Sequence, residues 1–437
     1  MRCAGALARQ ARDLRSSRVA GLGLRGVEPG CKLSRKNPAN QTWVETILKL
    51  GWVSFFADVA SEMTYPVIPS FLVQTLKAPV QALGFIEGAA EALVSFMKGW
   101  SGLHFDRTGK RLPFIQWGYG LSAAGKPIIA LARIWPIMLL GRLTDRFGKG
   151  IRTTARDAVI ADAAGKDRLG KAYGLHRGMD TAGALVGVLL LLLLLSQHWS
   201  SRAVFVAAAI PGFLSLAITF TVRDPRPQKD AVTVEPRRTS AAIRLRELPT
   251  GYWRALALTL VFALANSSDT FILLRAGRGA DGVGLTLMQV VAGYMLYNVA
   301  YTALSYPAGA LSDKIGRWKI LGAGWAIYAA SYLGFAHATV PTIWPLFALY
   351  GCYMGMTDGV SKALVASYAP EGGRGTALGF FYMTTGIAIL IGNTGCGLLW
   401  HYCGPRIMFT ACAAAAAAAV LLIPLSGLLL RRRPNVV

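Results

Sequence analysis

Charged side chains recur on one side of a helix predicted over residues 135–163. They are Arg142, Asp145, Arg146, Lys149, Arg156 and Asp157. Their spacings of three, four and seven residues place them on one face, because each helical residue advances by about 100°. From Arg142 to Arg156 the face extends about 21 Å at 1.5 Å per residue. Such a face is too polar for lipid, so we expect it to line a polar passage or to pack against charged partners such as Glu87 and Glu91.

Three further carboxylates have the type and position needed to carry protons. Glu62 and Asp58 lie one turn apart in one predicted helix, and Asp269 lies in another. Burial disfavours a charged carboxylate, and two neighbouring carboxylates disfavour double ionisation. We therefore predict proton exchange at Glu62 first, with Asp58 and Asp269 as further coupling residues.

Arg146 and Arg177 could bind an anionic group of a solute, since a guanidinium donates two parallel hydrogen bonds to a carboxylate or phosphate. The alternative is that these arginines pair with the neighbouring Asp145 and Asp180 and only stabilise the helix bundle. Both interpretations stay open. The other predicted solute contacts are Asp180, Tyr65, Tyr297 and Asn298.

The elements that must position these residues are membrane-spanning helices. Of the 437 residues 54% are hydrophobic and 16% charged, and the mean hydropathy is +0.43. A soluble core needs far less apolar surface, whereas a spanning helix needs about 20 mostly apolar residues. We predict an all-α integral membrane protein with twelve spans, over residues 47–75, 80–104, 112–132, 135–163, 168–196, 201–222, 252–275, 284–311, 317–338, 340–367, 374–402 and 405–429.

The formal charge of +24 would suggest nucleic-acid binding in a soluble protein. Here the basic residues concentrate in alternate loops, including the segment from Arg223 to Arg254. That asymmetry follows the positive-inside rule. It predicts both termini on the cytoplasmic side of the membrane, which we expect to be a bacterial inner membrane, and argues against a nucleic-acid partner.

The same charge distribution divides the chain into domains. We predict a disordered basic tail over residues 1–44, a six-helix bundle over 45–222, a cytoplasmic linker over 223–251, a second bundle over 252–429 and a basic tail over 430–437. An alternative for residues 1–44 is an upstream stretch outside the mature protein. The cysteines show no disulfide or metal spacing, and we expect no cofactor.

A loop motif repeats after the second helix of each predicted bundle. Its first copy contains Gly102, Asp106, Arg107, Gly109 and Arg111, and its second contains Gly309, Asp313, Lys314 and Gly316. With the same displacement, Ser61-Glu62 falls on Ser268-Asp269, so the bundles read as parallel repeats.

This motif resembles the signature of the major facilitator superfamily, and the resemblance covers residues 45–430. It implies two pseudo-symmetric six-helix bundles that alternate in access to the two sides of the membrane, with the loop residues acting in gating. We accordingly predict a monomeric secondary transporter for a small solute, coupled to protons. Metal-ligand pairs, a nucleophile elbow and a phosphate loop were not found, so we expect no enzyme. A non-transporting sensor or assembly partner with the same fold is the alternative.

Overall fold

The computed structural model describes residues 38–108, 111–164, 169–223, 248–279, 281–368 and 374–431. From Thr42 onward the chain forms one compact unit. The long helices are α1 Pro38–Thr64, α2 Val80–Thr108, α3 Leu112–Ala130, α4 Trp135–Ala164, α5 Leu169–Ser196, α6 Ser201–Thr219, α7 Thr250–Ala265, α8 Asp269–Ala276, α9 Leu287–Ile315, α10 Arg317–Ala336, α11 Ile343–Tyr368 and α12 Arg374–Arg431. Below, the first half means residues 45–222 and the second half residues 252–429.

Two of the predicted spans are not continuous helices. Within the span 47–75, α1 ends at Thr64. The chain continues through a 3₁₀-helical turn over Tyr65–Val67 and a π-helical turn over Phe71–Thr75. Pro66 and Pro69 in this stretch each remove a backbone donor, which explains the irregular turns. The span 252–275 matches an apolar segment of nearly the same extent but is interrupted, because the backbone is extended at Asn266 and Ser268 and α8 begins at Asp269.

Local side-chain chemistry explains several helix boundaries. Ser268 caps α8 by accepting a hydrogen bond from the Thr270 backbone amide. Thr286 and Gln289 form a reciprocal capping box at the start of α9. Within α12, Gly404 has φ of 83°, a conformation that favours glycine, and it separates the two predicted spans that meet there.

Helix α4 packs backbone-to-backbone on α3. A methyl group added at Gly148 would lie 2.4 Å from the Gly118 carbonyl oxygen, and one at Gly125 would lie 2.7 Å from the Gly141 carbonyl oxygen. This close approach fixes the rotation of α4 about its axis. The charged face meets α3 at Asp145, which contacts Ser122 and Lys126.

The outer surface is apolar. Trp117, Ile210 and Leu421 are among many large hydrophobic side chains that are exposed. Five helical segments within the described ranges are long and apolar enough to cross a membrane, judged by length and composition: Val80–Ser101, Leu175–Ser196, Ser201–Thr219, Thr250–Ala276 and Ala377–Leu425. Helix α4 is not among them, because its many charged side chains lower its mean hydropathy.

Candidate functional site

A cavity of 2360 Å³ lies between helices of the two halves. Its walls include residues of α1, α2, α4 and α5 from the first half and of α8, α9, α11 and α12 from the second. The predicted residues that line it are Asp58, Glu62, Tyr65, Arg142, Asp145, Arg146, Lys149, Arg156, Asp157, Arg177, Asp180, Asp269 and Asn298. Both repeated halves therefore contribute charged or polar groups to one chamber.

The cavity is closed at one end by contact between α2 and α12. A methyl group added at Gly84 would lie 2.1 Å from the Asn393 carbonyl oxygen, and one at Gly397 would lie 3.0 Å from the Gln81 Cα. Near the other end of α2, a methyl group at Gly99 would meet no described atom within 4 Å. Tyr306, which also lines the cavity there, is 84% exposed. The two halves thus pack backbone-to-backbone at the Gly84 end, and the cavity extends to the Gly99 end of α2.

Arg142 of α4 forms the most buried ion pair of the site. Its guanidinium donates to both Glu87 carboxylate oxygens, with N–O distances of 2.6 and 2.8 Å from one nitrogen and 3.0 Å from another. The two side chains are 3% and 2% exposed. Such a bidentate pair has little capacity left for a solute and joins α4 to α2.

The middle of α4 carries a second network. Asp145 accepts hydrogen bonds from Ser122 and, at 3.1 Å, from the Lys126 ammonium group of α3. Arg146 lies 3.6 Å from Glu91 and 4.0 Å from Asp145. Sequence reasoning missed Lys126, because one cation in an apolar α3 has no spacing pattern that relates it to Asp145.

Charges of α4 and α5 meet near Ser54 of α1. Arg156 pairs with Asp157 at 3.1 Å and donates to the Ser54 hydroxyl at 3.1 Å. Ser54 in turn donates to Asp180, which pairs with Arg177 at 3.0 Å. Arg177 is 65% exposed, so its paired charge remains open to the cavity.

Glu62 is held by the opposite half of the molecule. The Tyr294 hydroxyl of α9 donates to its carboxylate at 2.9 Å. The Tyr65 ring lies 5.8 Å from the Tyr294 ring, and the Tyr65 hydroxyl approaches the Ser268 hydroxyl at 3.5 Å. The predicted proton-coupling residue therefore sits at a junction between the halves.

Asp269, the repeat partner of Glu62, is held by two tyrosines. Tyr350 donates to it at 2.6 Å and Tyr297 at 3.1 Å. Asn298 donates to the Tyr294 carbonyl oxygen at 3.0 Å, within its own helix. Tyr350 of α11 was also missed by sequence reasoning, since nothing in the linear sequence relates it to Asp269.

Two further predicted residues, Asp58 and Lys149, line the cavity. Asp58 lies beside Asp180, and Lys149 is exposed within the cavity. Among the described residues, no group of three or more His, Cys, Asp or Glu side chains is placed to hold a metal ion.

The two loop motifs differ in their surroundings. Arg111 is buried and donates to Asp162 at 2.6 Å. Asp313 is exposed and pairs with Arg317 at 3.1 Å, Lys314 and Gly309 lie nearby on α9, and Gly316 has φ of 102°. Gly109 and the side-chain surroundings of Gly102, Asp106 and Arg107 lie outside the described residues.

The chain matches a known family over most of its length. The model of the Major Facilitator Superfamily matches residues 50–392 and 279–436. An uncharacterized transporter of this type from Methanocaldococcus jannaschii is 33% identical, over 86% of this chain and 94% of the relative. The multidrug resistance protein MdtH of Edwardsiella ictaluri is 26% identical, over 78% of this chain and 82% of its own.

The fold is also similar to solved transporter structures. The nucleoside transporter NupG superposes with a TM-score of 0.68 at 13% identity, covering 87% of this chain and 98% of that one. At this identity the likeness concerns the fold alone. The family match and the archaeal relative establish that the chain belongs to the Major Facilitator Superfamily and is an integral membrane transporter.

Proposed function

We propose that this protein is a secondary active transporter that moves a small anionic or zwitterionic solute by alternating access. The observation that carries the proposal is a charged cavity between the two halves that is closed at the Gly84 end and open at the Gly99 end. A chamber with one mouth is what one of the two states of an alternating-access cycle requires. In the second state the α2–α12 contact would open and the Gly99 end would close.

The proposed architecture is two six-helix bundles, 45–222 and 252–429, joined by the linker 223–251. The broken helices support it, because both halves lose regular α-helix close to their repeat-related carboxylates, just after Glu62 and just before Asp269. Discontinuous helices are a common feature of binding sites near the midplane of transporters. Most of the linker, and residues 1–37 of the tail, lie outside the described residues.

The open mouth would face the cytoplasm of a bacterial cell. The basic loops predicted to be cytoplasmic follow α2 and α9, and α2 ends at the Gly99 side of the cavity. With the positive-inside rule, this places both termini in the cytoplasm.

Glu62 is the proposed coupling residue, with Asp58 and Asp269 as further proton sites. Glu62 and Asp269 receive hydrogen bonds from tyrosine hydroxyls rather than from arginine or lysine. A hydroxyl partner tolerates either charge state of a carboxyl, whereas a bidentate arginine fixes it as the anion. Since Tyr294 and Glu62 belong to opposite halves, a proton on Glu62 would alter a contact that must change during the cycle.

The mixed charges of the cavity favour a solute that carries a negative group. A second candidate is export of drug-like compounds, which the likeness to MdtH and the row of tyrosines on α9 favour. The two candidates differ in the solutes that would be transported.

Flux into proteoliposomes tests the proposal. Purified protein would be reconstituted and challenged with organic anions, amino acids and drug-like cations under an imposed pH gradient. We expect solute-linked proton movement in the wild type and its loss in Glu62→Gln. Glu45→Gln is the matched control, because Glu45 lies on the same helix, is exposed and pairs with Lys49 at 2.7 Å outside the cavity.

Each outcome has a distinct meaning. Flux that survives Glu62→Gln would refute Glu62 as the coupling residue, but the proposal that the protein is a transporter would stand. Transport restricted to drug-like cations would favour the second candidate. If no compound moves, the sensor or assembly interpretation gains support.

A further inference from the structure

Lys149 differs from the neighbouring cations of the cavity. Its side chain is exposed to the chamber, and in the described part of the chain no carboxylate oxygen lies within 4.0 Å of its ammonium nitrogen. By contrast, Arg146 and Arg177, the predicted anion ligands, pair with Glu91 and Asp180. Arg152 is buried and stacks over the Tyr119 ring at 4.0 Å.

The acids around Lys149 already have other partners. Those within electrostatic reach are Glu91, Asp58 and Glu62. Glu91 lies against Arg146 and Glu62 accepts from Tyr294. Asp58 lies beside Asp180, which is paired with Arg177. The ammonium group of Lys149 is therefore held in a partly enclosed chamber without a dedicated counter-charge.

A cation in a membrane-embedded cavity is costly unless water or an anion compensates it. A lysine ammonium is a compact charge on a flexible stem, so it can follow a mobile ligand in a way that the bidentate Arg142–Glu87 pair cannot. Lys149 is thus the charge in this wall that is best placed to receive a negative group from solution.

We infer that Lys149 binds the anionic group of the transported solute, so the substrate class is small organic acids or zwitterions with a carboxylate or phosphate. This inference rests on the proposed transport function and deepens it. Glu62 is placed to accept a hydrogen bond from an ammonium or hydroxyl group of the same solute. Tyr294 and Tyr301 of α9 line the same chamber. Their rings would contact an aromatic or apolar part of the solute.

Binding to the purified full-length protein in detergent micelles tests the inference without any need for transport. The probes share one aromatic body: phenylacetate, phenyl phosphate and phenylalanine carry a negative group, phenylacetamide is neutral and phenethylamine is cationic. We expect at least one negative probe to bind about tenfold or more tightly than the amide, because a charged hydrogen bond contributes about 1.5–3 kcal/mol. Comparison of phenylacetate with phenyl phosphate separates carboxylate from phosphate recognition.

Three variants assign that preference to Lys149. Lys149→Gln should weaken binding of the negative probe by about 10- to 100-fold, whereas Lys149→Arg should retain most of the affinity. Lys98→Gln is the matched control, because Lys98 lines the same cavity near its mouth and lies over the Tyr382 ring. It should bind the negative probe nearly as the wild type does.

A second measurement needs no variant. Acetylation of Lys149 in the wild type, followed by mass spectrometry, should slow in the presence of the negative probe and remain unchanged with the amide. Equal binding of the negative probe by wild type and Lys149→Gln would overturn the inference. So would absence of binding by every negative probe at millimolar concentration.

The result is separable from the proposed function. Anion binding through Lys149 without flux in proteoliposomes would refute the transport function, whereas the anion site would stand. Flux of cations alone, unaffected by Lys149→Gln, would support the transport function and refute the anion site.

Discussion

The two halves hold their central carboxylates by different chemistry. In the first half, Glu87 and Asp145 are paired with buried cations, Arg142 and Lys126. In the second half, Asp269 is hydrogen-bonded by Tyr297 and Tyr350, and Asp358 by Tyr301 at 3.0 Å. The first half thus has an ion-paired wall and the second half a hydroxyl-lined wall.

Glu62 shows why the difference matters. It belongs to the first half by sequence but receives its hydrogen bond from Tyr294 of the second. We therefore expect the ion pairs to govern stability, and the tyrosine-held carboxyls to govern the transport cycle. Four sets of substitutions, taken from the largest expected effect to the smallest, test this division.

The Arg142–Glu87 pair should be the most sensitive to loss of one partner. We expect Arg142→Ala to lower the free energy of unfolding by about 3–5 kcal/mol, because Glu87 would remain as a buried, unpaired charge. Chemical unfolding in detergent measures the change. The double variant Arg142→Met/Glu87→Met should be much less destabilised, and a double variant as unstable as the single one would contradict the explanation.

The contact that closes one end of the cavity should be sensitive to side-chain size. Gly84→Leu would clash with the Asn393 backbone, and overpacking of this kind costs about 1–3 kcal/mol. We expect the closed state at this end to lose population and the initial rate of solute flux to fall about tenfold.

Gly395→Leu on the partner helix α12 is the control for Gly84→Leu, since no described atom beyond its own helix turn lies within 4 Å of the added methyl position and Gly395 does not line the cavity. Its flux should stay close to that of the wild type in initial-rate measurements. A similar fall in both variants would show that an added leucine disturbs its own helix rather than the contact between the halves.

The hydroxyl-lined wall should respond to loss of single tyrosine oxygens. Tyr350→Phe removes the 2.6 Å hydrogen bond to Asp269, and we expect a loss of about 1.5–3 kcal/mol in unfolding free energy if that carboxyl is ionised. Tyr353→Phe removes a 3.3 Å bond to the neutral Asn266 amide and should cost about 0.5–1.5 kcal/mol. Equal effects would argue that Asp269 is held in its neutral form.

The exposed pair Asp313–Arg317 should contribute least. We expect Asp313→Asn to change the unfolding free energy by less than about 0.5 kcal/mol, because exposed pairs one turn apart are weak. If Asp313→Asn lowers the initial rate of solute flux while the unfolding free energy stays unchanged, the result would support the predicted gating role of this loop. A stability loss comparable to that of Arg142→Ala would contradict the distinction between buried and exposed pairs.

Hydropathy predicted the all-helical character, the resemblance of the loop motif predicted the family, and the family match confirmed the family prediction. The motif around Asp313 and Gly316 was sufficient to predict the family, because it is a short pattern within a single loop and can be recognised without tertiary structure. The break at Asn266–Ser268 could not be predicted, since the segment is apolar enough on either side to read as one span, and its extended backbone depends on tertiary partners. The Ser267 amide reaches the Tyr328 hydroxyl at 3.3 Å, and the Ser268 amide reaches the Asn393 side chain at 2.6 Å.

The sequence alone placed the charges of α4 on one face and paired Glu62 with Asp269 by repeat, because both follow from fixed helical periodicity and fixed displacement. Which charges neutralise one another was decided by tertiary structure. Arg142 pairs with Glu87, Asp145 with Lys126, and Glu62 with Tyr294, in each case across helices whose relative rotation and depth are set by backbone packing such as that of Gly148 on Gly118. Lys149 lacks an ion-pair partner for the same reason: in the described residues, packing brings no carboxylate within reach of its ammonium group.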